Sequence, residues 1–227
     1  MPRRQQTRGE CVFCGREMTR GGLVRHLGAC SERQEAIMKA NSGPRKDETL
    51  YHLQVQDAWE GSFWLHLEMR GSATLDDLDH YLRYMWLECC GHLSRFSVGG
   101  WGGREISKAK RAREVFEQGL ELTHIYDFGT TSETLIKVAG TRRGKPLTRY
   151  PITLMARNQP PEDLCIECGQ SASWLCLECL IEHDEWGTFC DQHAEEHPHD
   201  DYEEPVPLVN SPRVGMCGYC GPAEPPY

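Results

Sequence analysis

The spacing of cysteine and histidine at the two ends of the chain limits its possible folds more than any other feature. Near the N-terminus, Cys11 and Cys14 are followed by His26 and Cys30, in the pattern C-x2-C-x11-H-x3-C. Residues four positions apart share one face of a helix, and four nitrogen and sulfur ligands suit a closed tetrahedral Zn2+ site. A unit of about 20 residues cannot build a core alone, so we expect the metal to supply most of its stability.

The same chemistry returns at higher density in the C-terminal region. Two C-x2-C pairs and one C-x2-H pair are followed by two further histidines, which provides the eight ligands that two tetrahedral sites require. The predicted ligands are Cys165, Cys168, Cys176, Cys179, Cys190, His193, His197 and His199. We therefore expect one Zn2+ in the N-terminal unit and one or two in the C-terminal region.

The composition indicates a protein of a reducing compartment. Twelve of the 227 residues are cysteine, and regularly spaced thiols in the cytosol are more often metal ligands than disulfides. The first ten residues lack the apolar core of a secretory signal, and the mean hydropathy of −0.59 argues against a transmembrane helix. We expect a cytoplasmic protein with no membrane partner.

Charge divides the chain into three parts. Residues 1–46 carry ten Lys and Arg against four Asp and Glu, residues 47–159 carry fourteen against fifteen, and residues 160–227 carry one against fifteen. Proline-containing breaks at 41–44 and 158–161 coincide with these changes. We predict a basic C2HC zinc finger with its linker, a central domain, and an acidic zinc-binding region that ends in a disordered tail.

The basic N-terminal part is the candidate for nucleic-acid contact. Arg16, Arg20 and Arg25 lie inside the finger, and arginines bind the phosphates of DNA or RNA. The same side chains could instead form the solvated face of a zinc-held surface that contacts a protein. The acidic C-terminal region would repel phosphate, so we expect it to bind a protein partner.

In the central part, apolar and polar residues alternate along the chain, which predicts strands. Period-two alternation on either side of the turn at 60–62 predicts a hairpin. Thr74 begins a predicted capping box and an amphipathic helix to about Glu88, and a basic helix is expected over 107–117. This order predicts an α+β fold with a mostly antiparallel sheet and helices, flanked by small zinc-binding modules. The predicted strands are 51–55, 63–69, 93–98, 123–128, 134–139 and 150–155.

Several motifs of the central part resemble a known family. They are the stretch LYHLQVQ to FSVGG at 50–100, YDFG at 126–129 and NSPRVGMCGYCG at 210–221. They are similar to the plasmid open-reading-frame-three-like family, also known as passenger proteins of bacterial insertion elements, over 47–157 and the later motif. The resemblance implies the fold and a link to mobile elements, and it implies no activity. Family members often continue YDFG with Asp and His, which 130–134 lack.

The C-terminal ligand pattern resembles a B-box zinc module with a longer gap before its third pair. In that family the ligand pairs interleave, so each ion ties together distant segments and closes long loops. His183 could replace one of the last two histidines, and Cys217 with Cys220 could complete the second site instead. The resemblance assigns the first ion to Cys165, Cys168, Cys190 and His193, and the second to Cys176, Cys179, His197 and His199.

The remaining reactive side chains predict no catalytic residue. Cys89 and Cys90 are adjacent, which makes them poor joint zinc ligands, so we expect buried or half-buried thiols. His92 and His124 are candidates for acid–base chemistry, and we interpret His92 as a polar residue at a strand edge. We expect Asp127 to bond to the backbone of its own turn.

These patterns favour a zinc-stabilised, non-catalytic protein that associates with nucleic acid or acts as an adaptor, linked to mobile elements by the resemblance. The first alternative is a pure protein-interaction scaffold without nucleic-acid contact. The second is a metal-assisted hydrolase. It is disfavoured because catalytic zinc usually keeps an open coordination position, whereas each predicted site is filled by four protein ligands.

Overall fold

A nine-stranded antiparallel sheet organises the protein in the computed structural model, which describes residues 7–197, 202 and 204–227. Its strands are β1 (Arg8–Cys11), β2 (Glu17–Thr19), β3 (Glu48–Asp57), β4 (Trp64–Arg70), β5 (Ser94–Val98), β6 (Arg104–Ile106), β7 (Glu121–Tyr126), β8 (Ser132–Gly144) and β9 (Ile152–Asn158). Their order across the sheet is β2-β1-β9-β4-β3-β8-β7-β5-β6, and each neighbouring pair is antiparallel. The predicted α+β class is therefore confirmed.

Six helices accompany the sheet in the described part of the chain, and none of them is long and apolar enough to cross a membrane. A π-helical turn at Arg83–Leu87 continues the third helix, and a short 3-10 turn lies at Met216–Gly218. The helices are α1 (Arg20–Ala29), α2 (Ser31–Asn41), α3 (Leu75–Leu82), α4 (Ala112–Val115), α5 (Leu177–Glu182) and α6 (Asp191–Glu196).

The start of α3 confirms the predicted capping box. The Thr74 hydroxyl accepts from the Asp77 backbone N–H at 3.2 Å, and the Asp77 carboxylate accepts from the Thr74 N–H at 2.7 Å. The basic helix expected over 107–117 is wrong, because only α4 is helical there. The carbonyls of Lys108 and Lys110 instead accept the free N–H groups at the start of α3, both at 2.9 Å, so a tertiary contact replaces the helix.

The main core lies between one face of the sheet and the helical segment formed by α3 and the π-helical turn. Alternate residues of β3 and β4 point into it, as the period-two pattern predicts. Their register pairs Leu53 with Leu67 and Val55 with Leu65. The largest fully buried side chains in this core are Trp86, Tyr81, Tyr126, Phe96, Leu53 and Leu65.

The N-terminal unit is continuous with the sheet. Strand β1 pairs with β9, and the unit shares a buried cluster with Trp64 of the central part. Gly9 makes this approach possible, since a Cβ there would lie 2.1 Å from the Arg157 carbonyl oxygen and 2.3 Å from the Trp64 ring. Arg33 of α2 adds an ion pair with buried Glu68 at 3.0 Å. Strand pairing, apolar burial and an ion pair therefore hold this unit to the central part, in addition to any metal ion that its ligands could bind.

The acidic C-terminal region has its own small sheet and then returns to the central part. The strands β10 (Trp174–Leu175), β11 (Thr188–Phe189) and β12 (Val206–Pro207) lie in the order β11-β10-β12. Beyond them, Arg157 donates to the carbonyls of Asn210 and Ala223, both at 2.7 Å. Tyr227 stacks on Tyr150 with a centroid distance of 4.2 Å. The tail is therefore packed, and the prediction that it is disordered is wrong.

Candidate metal centres

The first centre, which we call the finger site, consists of Cys11, Cys14, His26 and Cys30. A tight turn after β1 brings its first two cysteines together, with the Gly15 N–H donating to the Cys11 carbonyl at 2.8 Å. Helix α1 then holds His26 over the turn, 3.2 Å from the Cys14 sulfur to Nε2. All four ligand atoms lie within 4.8 Å of one another, so this predicted set could hold a metal ion.

The second centre, which we call the first C-terminal site, consists of Cys165, Cys168, Cys190 and His193. At a tetrahedral Zn2+, bonds of about 2.3 Å to sulfur and about 2.0 Å to nitrogen separate two sulfurs by about 3.8 Å and a sulfur from a nitrogen by about 3.5 Å. The Cys168 and Cys190 sulfurs are 3.9 Å apart, and His193 Nδ1 lies 3.4 Å from the Cys165 sulfur. The structure thus brings together the four residues that the B-box resemblance assigns to one ion.

Backbone groups prepare the Cys165 sulfur for a cation. Burial raises the cost of ionising this thiol, because a charged sulfur loses hydration. The backbone N–H groups of Cys190, Cys168 and Glu167 counteract burial and lower the pKa of Cys165 to about 6. The ligand is therefore available as the thiolate, which is the form that binds metal.

The third centre, which we call the second C-terminal site, contains Cys176, Cys179 and His197. The Cys179 sulfur lies 3.2 Å from His197 Nε2, and the Phe189 ring packs on the imidazole at 4.1 Å between centroids. The described part of the chain supplies these three ligands. The predicted fourth ligand, His199, lies outside the described residues. His183 is exposed and joins no such group within the described chain.

A fourth group, which sequence reasoning missed, brings together Cys89, Cys90, His92 and Cys217. The alternative in which Cys217 and Cys220 complete the second C-terminal site is wrong for Cys217, which lies 3.6 Å from the Cys90 sulfur. Cys220 is exposed and joins none of the four groups of described residues. The sequence signal for this group is the C-C-x-H run followed much later by one cysteine, a pattern without a fixed spacing.

The predicted phosphate contacts divide into two kinds. Arg16 and Arg25 are exposed on the N-terminal unit. Arg20 is half-buried, and its guanidinium donates to the Gly61 carbonyl at 3.5 Å, so it contributes to the contact between the unit and the central part. Two of the three arginines are therefore presented to solvent.

Two of the candidate residues, His124 and Asp127, are engaged in buried pairs. His124 is fully buried, and its Nε2 lies 2.7 Å from the Asp79 carboxylate, whose other oxygen accepts from Lys108 at 2.8 Å. Burial would raise the pKa of Asp79. Hydrogen bonds from His124, Lys108 and Ser94 outweigh this effect and hold that pKa well below its usual range. Asp127 accepts from the Gly129 N–H at 2.9 Å, as predicted, and also from Arg213 at 2.6 Å. These contacts give the residues structural roles.

Comparison with known proteins adds little to this description. No protein-family model and no curated protein matches the chain. Among solved structures, it is similar to the crystal structure of a protein of unknown function, MM3350, from Methanosarcina mazei Go1, with 21% sequence identity and a TM-score of 0.40. The match covers 47% of this chain and 68% of that chain. So distant a likeness carries no argument about function, and the family resemblance from the sequence motifs remains a prediction.

Proposed function

We propose that this chain is a zinc-stabilised, non-catalytic adaptor that contacts nucleic acid through its N-terminal unit and a protein through its acidic C-terminal region. The observation that carries the proposal is the ligand set of the finger site and the first C-terminal site. Each has four protein ligand atoms, of sulfur and nitrogen, within 4.8 Å. Thiolate and imidazole favour Zn2+ over Mg2+ or Ca2+, and four protein ligands are typical of structural zinc.

The closed ligand sets argue against metal-assisted hydrolysis at these two sites. A catalytic zinc activates a water in an open coordination position, which four protein ligands do not leave. The second C-terminal site has three ligands in the described chain, so the hydrolase alternative depends on it. We assign its fourth position to His199. A zinc-bound water that persists in the intact chain would favour the hydrolase instead.

Charge and exposure support nucleic-acid contact at the N-terminal unit. Residues 1–46 carry a net charge of +6, and both Arg16 and Arg25 are exposed. Few cations take part, so binding should be weak and its salt dependence modest. A single finger contacts only about three base pairs in known modes, so sequence specificity should be low.

The surface of the C-terminal region supports a protein partner. Residues 160–227 have a net charge of −14, which disfavours phosphate and favours a basic surface. The same region exposes Leu164, Ile166 and Ile181, each by more than half of its surface. Apolar side chains among acidic ones fit a basic, amphipathic segment of another protein.

A binding assay with matched variants tests the nucleic-acid contact. Fluorescence anisotropy of the full chain with a labelled duplex and a single-stranded RNA should give micromolar binding at low salt. The double variant Arg16→Ala/Arg25→Ala should bind about tenfold more weakly and lower the salt slope by about two. Arg104→Ala/Arg113→Ala removes two exposed arginines of the central part and should bind like the unaltered chain.

Two results would contradict this contact. If the unaltered chain fails to bind either probe at low salt, the pure scaffold alternative is favoured. If both double variants lose the same affinity, the attraction belongs to the whole surface and the N-terminal unit has no special role. In either case metal analysis still tests the structural zinc sites separately.

A further inference from the structure

We propose that Cys89, Cys90, His92 and Cys217 form a further metal site, which we call the latch site, and that a thiophilic divalent cation such as Zn2+ there fastens the C-terminal segment to the central part. Three ligands lie between the π-helical turn and β5, and the fourth lies in the 3-10 turn near the C-terminus. This proposal is independent of the nucleic-acid contact at the N-terminal unit.

The distances within the group match the edges of a tetrahedral site. The Cys90 and Cys217 sulfurs are 3.6 Å apart, and the Cys217 sulfur is 3.6 Å from His92 Nε2. The corresponding edges at Zn2+ are about 3.8 Å between sulfurs and about 3.5 Å between sulfur and nitrogen. All four ligand atoms, including the Cys89 sulfur, lie within 4.8 Å of one another.

Unusual backbone conformations present these ligands. Cys217 has φ of 53° and ψ of 33°, a left-handed conformation that is uncommon for a residue with a side chain. Gly91, with φ of 75°, turns the chain between Cys90 and His92. Strained conformations of this kind persist where surrounding contacts fix them, and they concentrate at ligand sites.

Arg213 places a positive group beside this site and shares it with the Asp127 carboxylate. Three thiolates and a neutral imidazole around a divalent cation leave a net charge of −1. The buried guanidinium of Arg213 lies 3.4 Å from the Cys89 sulfur through both Nε and Nη2, and Arg213 is the only Lys or Arg of 160–227. It also donates to Asp127, whose carboxylate lies 3.5 Å from His92 Nε2. N–H groups aimed at a ligand sulfur are the outer shell expected around a metal thiolate.

Exposure distinguishes the latch site from the others. No ligand of the latch site is buried, and Cys90 and Cys217 are exposed. Each of the other three groups has at least one buried cysteine, although Cys168 of the first C-terminal site is exposed. A cation at the latch site should therefore exchange with solvent and with chelators more readily than the other ions. Since Cys90 and Cys217 are 127 positions apart, release of the ion would remove a long-range crosslink from the C-terminal segment.

The test compares the metal content of three variants of the full chain, purified with Zn2+ and a reductant. Native mass spectrometry should show one ion fewer in Cys217→Ser, and also in Cys90→Ser, than in the unaltered chain. Cys220→Ser replaces a neighbouring exposed cysteine outside the group and should keep every ion. Hydrogen exchange in the first two variants should rise within 208–227 and at 89–93, while the paired strands of the sheet stay protected.

Three results would overturn the proposal. The first is that Cys217→Ser and Cys220→Ser hold the same number of ions. The second is that the ion is lost without any rise in exchange within 208–227, which would remove the fastening role. The third is a purified chain whose intact mass is about two hydrogens too low and whose peptide map locates a Cys90–Cys217 disulfide, because that bond would take the place of a metal site. None of these outcomes depends on binding of DNA or RNA.

Discussion

Two histidines lie side by side on neighbouring strands in the middle of the sheet. His66 of β4 is fully buried, and its Nδ1 lies 2.9 Å from Nε2 of half-buried His52 on β3. Burial, reinforced by nearby positive groups, lowers the pKa of His52 from 6.5 to about 4 and that of His66 to about 3. The folded protein therefore holds both rings neutral, in a pair that can share only one proton between the facing nitrogens.

This pair should make folding sensitive to mild acid. The pKa values in the folded state lie below the unfolded value of 6.5, so the stabilisation is complete above pH 6.5 and is lost as the pH falls towards 4. Lowering the pH from 7 to 5 should reduce the free energy of unfolding by about 2 kcal/mol for each histidine. Urea unfolding of His52→Gln should depend less on pH than that of the unaltered chain. The exposed His80→Gln is the control, and equal pH dependence in all three proteins would contradict the prediction.

For single residues, the sequence predicts contacts with near neighbours in the chain well and contacts with distant residues poorly. Asp127 bonds to its own turn, as the residues beside it suggest, but its second partner, Arg213, is 86 positions away. The interpretation of Cys89 and Cys90 as buried or half-buried thiols is confirmed for Cys89, which is half-buried, and is wrong for Cys90, which is exposed. Only the fold shows that His92 and Cys217 lie beside this pair, in a group that could hold a metal ion.

At the scale of secondary-structure elements, the contact between β1 and β9 leaves no room for an added side-chain atom. At Gly9 a Cβ would lie 2.1 Å from a backbone oxygen of β9, and backbone cannot move aside as a flexible side chain can. Gly9→Ala should therefore destabilise the protein by about 3 kcal/mol or more, through loss of the pairing that joins the N-terminal unit to the sheet.

The matched control for that substitution is Gly28→Ala in α1. A Cβ at Gly28 meets nothing within 4 Å, and alanine favours helix, so this variant should be as stable as the unaltered chain or up to about 1 kcal/mol more stable. Thermal and urea unfolding followed by circular dichroism measure both effects. Equal stability of the two variants would show that the close approach at β1 does not contribute to the free energy of unfolding.

Helix and strand signals succeed where the contacts that decide them are close in sequence. The capping box at Thr74 and the alternation of β3 and β4 need only neighbouring residues, and both are confirmed. The segment 107–117 has helix-forming composition, yet its carbonyls are used to cap α3. That competition involves residues more than 30 positions apart, so propensity alone cannot predict it.

For the whole molecule, metal removal should affect the two ends and spare the middle. Among the described residues, the buried cluster of the C-terminal region has five members, and three of them are candidate metal ligands: Cys165, Cys176 and Cys179. The core of the central part is far larger and apolar. After treatment with a strong chelator, hydrogen exchange should rise sharply within 11–30 and 164–197, while β3, β4 and β8 keep their protection.

The same experiment has a clear contradicting result. Unchanged protection at both ends after complete metal removal would show that strand pairing and apolar burial hold these regions without an ion. Re-addition of Zn2+ should restore the original pattern, whereas Mg2+ should not, because it prefers oxygen ligands.

The sequence predicts the three-part division by charge, but not how the parts join. Strand β1 and Trp64 form one buried cluster with residues of β9, and nothing in the spacing of the finger ligands indicates a docking surface of this kind. Docking depends on an edge of the sheet left open by β9, which is a property of the complete topology. Ligand spacing is a local property, and for that reason it could be predicted.

The pairing of β1 with β9 also sets an order of events during synthesis on the ribosome. Glu10 is made early, whereas its partner Arg157 on β9 follows nearly 150 residues later, so β1 has only β2 as a neighbour until β9 is made. Coordination by Cys11, Cys14, His26 and Cys30 needs only the first 30 residues, and an ion captured then would keep this stretch folded in the meantime. Such an ion would hold the hairpin of β1 and β2 together with α1 until β9 is made.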